Sequence, residues 1–255
     1  MAAGTIGGRR ADAAEHPSRV GLAIRSVASA LFVVLLPVLL VTSIIRVLIS
    51  DVGFYEWGLR RHEAESRTGI PLPELDYAAG EIVSYFENDS QRLDVTVLVD
   101  GHLVPLFNER EVAHMEDVKA LVAWTFRAQE AALVYVVAYV AAVFLWARER
   151  TVRALAWEVL GAMALGLSTI AVIGLLAVTG FDAAWSRFHE IAFRNDLWRL
   201  NPETDRLIQM FPEPFWEEAT LVVAGLTLLL AVVAAALAGV YLLWTARSGE
   251  TGPAG

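Results

Sequence analysis

Four long stretches of the sequence are apolar and uncharged, and they constrain the fold more than any other feature. A helix needs about 20 such residues to cross the roughly 30 Å hydrocarbon core of a bilayer. The alternative is four buried helices in a soluble core. It fits poorly with a chain that is 56% hydrophobic and 19% charged, since soluble proteins carry about 25% charged residues. The stretches predict an α-helical membrane protein with four transmembrane helices, at residues 27–45, 131–147, 159–179 and 219–244.

The charges between these stretches predict the orientation of the chain. Residues 1–26, 148–158 and 245–255 together carry eight basic and five acidic residues, whereas residues 46–130 and 180–218 carry twelve and twenty-four. Cytoplasmic segments of membrane proteins are enriched in Lys and Arg. We therefore expect a multi-pass protein of the cell membrane with a cytoplasmic leader, loop and tail, both termini inside, and two extracytoplasmic segments.

The first outer segment has the pattern of a small α/β domain. Apolar and polar residues alternate within residues 92–107, around a two-residue Asp100-Gly101 turn. This pattern is typical of a β-hairpin. Upstream, apolar residues recur at helical spacing over residues 74–86, which predicts a helix.

A further helix is expected to begin after Asn108 and to run toward the membrane. Asn108 is a good N-cap, and Glu111 completes a capping-box pair three residues later. His114 follows on the same face, with Glu111 and Asp117 one turn away on either side. A carboxylate placed in this way can hold one imidazole nitrogen and leave the other basic. The plainer alternative is that these groups only satisfy one another on a partly buried helix.

The second outer segment predicts a helical lid between the third and fourth spans. Trp185 and Phe188 belong to an aromatic stripe at helical spacing, and His189 lies beside it. Such a stripe is typical of an amphipathic helix in the headgroup plane. Asn201-Pro202 predicts the start of another short helix, with Asn as the cap and Pro at the first helical position.

Two of the five histidines are candidates for chemistry. His114 and His189 both lie on predicted outer helices, among apolar residues and carboxylates. His16 in the leader and His102 beside the hairpin turn are expected to be solvated bystanders, and His62 in an Arg- and Glu-rich stretch is left open. A metal site of two histidines and nearby carboxylates is a further alternative, although no H-E-x-x-H spacing is present.

Several absences narrow the chemistry. The chain has no cysteine, which excludes disulfides, thiolate metal sites and a cysteine nucleophile. It has no G-x-S-x-G elbow, P-loop or G-x-G-x-x-G motif, and its net charge of −9 argues against nucleic acid as a partner. Its charges lie outside the spans, which argues against an ion pump. An enzyme of this kind would use a nucleophile that the substrate supplies.

Three sequence blocks, at residues 107–119, 188–198 and 201–213, and the shorter element Thr68-Gly69-Ile70 carry a family likeness. They resemble a bacterial integral-membrane family that includes the lipoprotein intramolecular transacylases. The four-span layout and the placement of the outer segments are similar as well, so the resemblance covers nearly the whole chain after the leader.

This resemblance implies acyl migration on a membrane-anchored lipoprotein. One ester-linked acyl chain of the diacylglyceryl group would move to the α-amine of the N-terminal cysteine and leave a lyso lipoprotein. The partners would be the lipid bilayer and this lipoprotein, with no cofactor and no metal. The site residues assigned on this basis are His114 as general base with Asp117 as its orienter, His189 as second acid–base group or oxyanion donor, Arg110 and Asn195 as oxyanion or headgroup contacts, and Trp185, Phe188 and Trp198 as acyl-chain walls.

Two other functions compete with acyl transfer at this stage. The first is a membrane scaffold or sensor, whose acidic outer domain binds a partner and whose histidines are structural or pH-responsive. The second is a metal-dependent hydrolase of lipid-linked substrates that uses the same two histidines. The placement of His114 relative to His189 is the feature on which the catalytic interpretation depends.

Overall fold

The chain forms a mostly helical membrane protein. The structure is a computed structural model that describes residues 19–146, 149–178 and 180–250. Among these residues, four helices are long and apolar enough to cross a membrane, so the predicted architecture is confirmed. The elements are α1 (Arg19–Ile49), α2 (Val52–Arg61), α3 (Ala64–Thr68), α4 (Leu72–Glu87), β1 (Thr96–Val99), β2 (His102–Pro105), α5 (Glu109–Trp146), α6 (Glu149–Val178), α7 (Phe181–Ala192), α8 (Arg206–Met210) and α9 (Glu213–Glu250).

The membrane helices α1, α5, α6 and α9 extend beyond the apolar stretches. The predicted outer helix and the second span form one helix, α5, because residues 109–146 contain neither Gly nor Pro to interrupt it. Most of the predicted cytoplasmic loop, residues 148–158, belongs to α6. Residues 1–18, which hold most of the predicted leader and His16, lie outside the described residues, as do residues 251–255 of the predicted tail.

Helix α1 packs against α5, α6 and α9 in the bundle. Phe32 of α1 is only 1% exposed and stacks on Tyr139 of α5, with 4.7 Å between ring centroids. Gly166 of α6 lies against Pro37 of α1, where a Cβ would come within 3.1 Å of the proline ring. Large apolar side chains such as Val134 remain exposed on the outside of the bundle, as expected for a surface that faces lipid.

Residues 46–130, which the sequence predicts to be extracytoplasmic and which are called the outer domain below, form a domain with its own hydrophobic core. Leu59 of α2, Leu75 of α4, Val97 of β1 and Phe215 of α9 are all fully buried within it. Phe215 lies in the first turn of α9, so the start of the fourth membrane helix is part of the core of the outer domain. Gly58 of α2 permits this contact, because a Cβ at that position would lie 2.4 Å from the Phe215 ring.

The predicted hairpin is present. Strands β1 and β2 are antiparallel with Val99 opposite His102, and Asp100 and Gly101 both have positive φ values, of 50° and 79°. Two consecutive positive φ values are characteristic of the type I′ turn. The predicted helix over residues 74–86 is α4, and its apolar face packs against β1 in the outer core.

The lid consists of α7, a connecting loop and α8, and one of its helices starts later than predicted. The short helix expected at Asn201-Pro202 begins instead at Arg206. The Asp205 carboxylate accepts a hydrogen bond from the Asn201 backbone N–H at 2.7 Å, and the Asn201 carbonyl accepts from the N–H groups of Thr204 and Asp205. These bonds close a turn ahead of the helix, so Asn201 caps the turn.

Candidate active site

The start of α5 is fixed by the predicted capping box. The Asn108 side-chain oxygen accepts from the Glu111 N–H at 3.0 Å, and the Glu111 carboxylate accepts from the Asn108 N–H at 2.8 Å. The second Glu111 oxygen accepts from the N–H of Leu207 in α8 at 2.6 Å. Glu111 is 1% exposed, and this burial raises the pKa of its carboxyl. Both carboxylate oxygens are engaged in joining α5 to the lid, so Glu111 is not an orienting group for His114.

The fold brings the two candidate histidines together. His114 of α5 and His189 of α7 lie with their ring centroids 6.2 Å apart and their planes inclined by 36°. They are 7% and 6% exposed, and both border one cavity of about 540 Å³. His114 and His189 are far apart in the sequence. They lie close together because the lid packs against the first turns of α5.

His189 has a fixed orientation and tautomer. Its Nδ1 lies 2.8 Å from the carbonyl oxygen of Trp185, and because a carbonyl only accepts, Nδ1 carries the proton. The neutral ring therefore has its lone pair on Nε2. Trp198 stacks on the imidazole at 4.9 Å between centroids, and the Trp185 indole meets its edge at 4.5 Å. Burial lowers the pKa of His189.

His114 is held by apolar contacts. Its Nδ1 is buried and has no hydrogen-bond partner among the described residues. Phe193 packs edge-on against the ring at 5.2 Å. Burial, with a smaller contribution from the neighbouring His189, lowers the pKa of His114 to about 4. Both imidazoles are therefore neutral at pH 7, the form that can accept a proton.

Three predicted polar site residues take part in contacts between α5 and the loop that follows α7. The Asp117 carboxylate accepts a hydrogen bond from the Asn195 amide at 2.8 Å, and the Arg110 guanidinium donates to the backbone carbonyl of Asp196. None of the three predicted residues borders the cavity. The expected hydrogen bond from the His114 ring to the Asp117 carboxylate is absent among the described residues. Asp117 instead accepts from Asn195 in the lid loop, and His114 Nδ1 has no partner.

The cavity wall includes the three predicted aromatic residues and several that the sequence did not single out. Trp185, Phe188 and Trp198 all border the cavity. Its polar and charged border also includes Arg199 and Glu213 of the lid and α9. The apolar border at the outer ends of α1 and α5 had no local signal, because it is assembled from residues far apart in the chain. These apolar residues are Ile45, Ile49, Leu121 and Val122.

The remaining described histidines lie elsewhere. His62 is on the joint between the outer domain and α9, with its Nε2 3.3 Å from a Glu218 carboxylate oxygen. His102 lies on the exposed strand β2. Within the described ranges, no group of three or more His, Asp or Glu side chains is placed to hold a metal ion.

Comparisons with known proteins point to one family. The family model of the lipoprotein intramolecular transacylase matches residues 30–216. The fold resembles the membrane integral lipoprotein intramolecular transacylase of Bacillus cereus, with a TM-score of 0.73 at 16% identity over 89% of this chain and 99% of that one. A histidine-to-alanine mutant of that protein gives a TM-score of 0.69 at 15% identity, over 89% of this chain and 96% of the other.

A relative at higher identity is an uncharacterized protein of Aquifex aeolicus (strain VF5). It is 33% identical over 129 residues, which are 50% of this chain and 54% of the relative. The chain therefore matches about half the length of this curated relative.

Proposed function

This chain belongs to the lipoprotein intramolecular transacylase family, and we infer from that membership that it is a membrane acyltransferase acting on lipoproteins. The matched residues 30–216 include both histidines and all the residues that border the cavity. The family predicted from the sequence blocks is thereby confirmed. The reaction is the transfer of an ester-linked acyl chain of a diacylglyceryl lipoprotein to the α-amine of its N-terminal cysteine.

The reaction balances without an enzyme nucleophile. The amine nitrogen attacks the ester carbonyl carbon, an amide bond forms, the ester C–O bond breaks, and one amine proton ends on the glyceryl oxygen. The mass of the lipoprotein does not change. Because amine and ester belong to one molecule, holding them in contact supplies the orientation term of catalysis. The protein then needs a base for the amine proton and a donor for the oxyanion.

The observation that carries this proposal is the pair of neutral imidazoles on one cavity. His189 is the better base, since its Nδ1–H is held by the Trp185 carbonyl and its Nε2 lone pair is available. His114 suits the donor role. Its buried Nδ1 has no acceptor among the described residues, and an unpaired buried N–H is costly, so the proton belongs on Nε2. These roles reverse the ones proposed from the sequence.

The cavity is placed to receive lipid. Its apolar border includes Ile45 and Ile49 of α1, where the first apolar stretch ends, and Leu121 of α5. Trp185 and Phe188 supply aromatic walls next to the imidazoles. In this proposal residues 46–130 and 180–218 face the outside of the cell, both termini are cytoplasmic, and the acyl chains enter from the outer leaflet.

The test is to co-express the protein with a diacylglyceryl lipoprotein in a host that does not otherwise acylate the amine. The lipoprotein is then treated with an amine-reactive reagent and weighed by mass spectrometry. The wild-type protein is expected to block the N-terminal amine without changing the mass. His114→Ala and His189→Ala should each reduce conversion by about a hundredfold or more, the usual size of an acid–base contribution.

His102→Ala is the matched control, because His102 lies on an exposed strand away from the cavity. It should convert the lipoprotein like the wild type. Wild-type conversion by both His114→Ala and His189→Ala would contradict the proposal. A loss of mass equal to one acyl chain, prevented by a chelator, would instead identify a metal-dependent hydrolase.

A further inference from the structure

The loop that follows α7 is bound to α5 by two polar contacts on either side of His114. Asn195 donates to Asp117, and Arg110 donates to the carbonyl of Asp196. Arg110 and Asp117 are seven residues apart on α5, about two turns, so they lie on one face with His114 between them. The loop is thus attached to α5 one turn before and one turn after this imidazole.

The same loop carries two aromatic residues that contact the histidines. Phe193 at its start contacts both imidazoles, with centroids 5.2 Å from His114 and 5.6 Å from His189. Trp198 near its end stacks on His189. Among the described residues, no hydrogen bond joins α7 itself to α5. The separation of the two imidazoles therefore depends on where this loop lies against α5.

A second hydrogen bond orients the side chain of Asn195. Its side-chain oxygen accepts a hydrogen bond from the backbone N–H of Leu197 at 3.1 Å. This bond orients the amide, so that its nitrogen is the group presented to Asp117. The contact is a hydrogen bond to a charged acceptor, which is stronger than one between neutral groups. Asn195 is exposed and Asp117 is half-buried, so the bond lies at the protein surface.

We propose that Asp117 and Asn195 form a clasp that positions His189 against His114, and that neither residue takes part in the chemistry. This rests on the proposed function, since the clasp matters for catalysis only if the two imidazoles act together. Neither residue borders the cavity, and the Asp117 carboxylate accepts a hydrogen bond from the loop. Both are therefore positioning residues, in place of the orienting and substrate-binding roles expected from the sequence.

An exchange of the two side chains separates these roles. Asn195→Asp places two carboxylates against each other, which breaks the clasp and should lower the rate at saturating lipoprotein at least tenfold. Asp117→Asn leaves an amide–amide contact and should cause a smaller loss. The double variant Asp117→Asn with Asn195→Asp restores an amide–carboxylate bond in reverse and should recover most of the activity. Glu190→Gln, which breaks the Arg187 pair on the exposed side of α7, is the control.

The activities of these variants show whether Asp117 and Asn195 act as a clasp or in the chemistry. A double variant no more active than Asn195→Asp would overturn the clasp, because an Asn195 that donates to substrate cannot be replaced by aspartate. An Asp117→Asn variant as inactive as His189→Ala would assign Asp117 to the chemistry.

Amide hydrogen exchange over residues 193–200 gives a readout that does not need activity. Exchange should rise in Asn195→Asp and return toward the wild-type rate in the double variant. This pattern in a protein without transacylase activity would support the clasp and count against the function. Unchanged exchange in a protein with transacylase activity would count against the clasp and leave the proposed function supported.

Discussion

His114, which we propose as the oxyanion donor, also affects the stability of the protein. In the unfolded chain a histidine takes up its proton near pH 6.5, whereas burial lowers the pKa of folded His114 to about 4 and also lowers that of His189. Between these values the folded state binds fewer protons. The free energy of unfolding should therefore fall as the pH drops from about 6.5 to about 4, by roughly 3 kcal/mol for His114.

Thermal unfolding of the detergent-solubilised protein across this pH range measures the effect. His114→Asn should show a shallower fall in unfolding temperature than the wild type, since the replaced group does not titrate. His102→Asn removes an exposed histidine and should keep the wild-type slope. Equal slopes in all three proteins would show that His114 is not buried as a neutral group.

Gly58 is a residue whose lack of a side chain is required by packing. A methyl group there would lie 2.4 Å from the Phe215 ring, so Gly58→Ala should lower the stability of the protein by about 1–3 kcal/mol through overpacking. Gly80→Ala in α4 is the control, because a Cβ there meets nothing within 4 Å and alanine favours a helix by up to about 1 kcal/mol. Chemical denaturation of the two variants should give changes of opposite sign.

At the scale of secondary-structure elements, Glu111 joins the start of α5 to the start of α8. Glu111→Ala leaves the N–H groups of Asn108 and Leu207 without their carboxylate acceptor, and hydrogen bonds to charged groups contribute about 1.5–3 kcal/mol each. We expect Glu111→Ala to destabilise the protein and to raise hydrogen exchange in α8. Glu109→Ala, which removes an exposed ion pair with Arg92, should change stability by less than about 1 kcal/mol. Similar losses for both would contradict a joining role for Glu111.

Local patterns predicted most of these elements correctly. The capping box at Asn108, the Asp100-Gly101 turn and the apolar stripe of α7 each depend on residues a few positions apart, and the structure has all three. The late start of α8 was missed, because the ring of bonds between Asn201 and Asp205 competes with a helix. The bond from Asn195 to Asp117 was also missed, since it joins positions 78 residues apart and no local spacing reports such a contact.

The same limit applies to the site. Sequence reasoning identified His114 and His189 because each lies on a predicted helix on the same side of the bilayer, among apolar residues and carboxylates. It assigned Asp117 to His114 because helical neighbours one turn apart face each other. In the structure Asp117 accepts a hydrogen bond from Asn195 of the lid. The sequence does not reveal whether a carboxylate will bond to a neighbour on its own helix or to a residue far along the chain.

At the scale of the whole molecule, the absence of cysteine makes the proposed orientation testable by single-cysteine labelling. Ser66 is exposed on the outer domain, and Ser248 is exposed near the opposite end of α9. A membrane-impermeant maleimide should label Ser66→Cys in spheroplasts, and Ser248→Cys only after the membrane is permeabilised. The reverse pattern would place both termini outside and the cavity on the cytoplasmic side.

The unbroken course of α5 has a consequence for how the enzyme would respond to its surroundings. A single helix of 38 residues carries His114 in its second turn and crosses the membrane with the rest of its length. Neither Gly nor Pro interrupts this helix, so the height of the imidazole above the lipid tails depends on how the helix lies in the membrane. A thinner or thicker bilayer, which tilts such helices, would shift this side of the reaction centre with it. The thickness of the membrane would then influence where His114 lies in the proposed site.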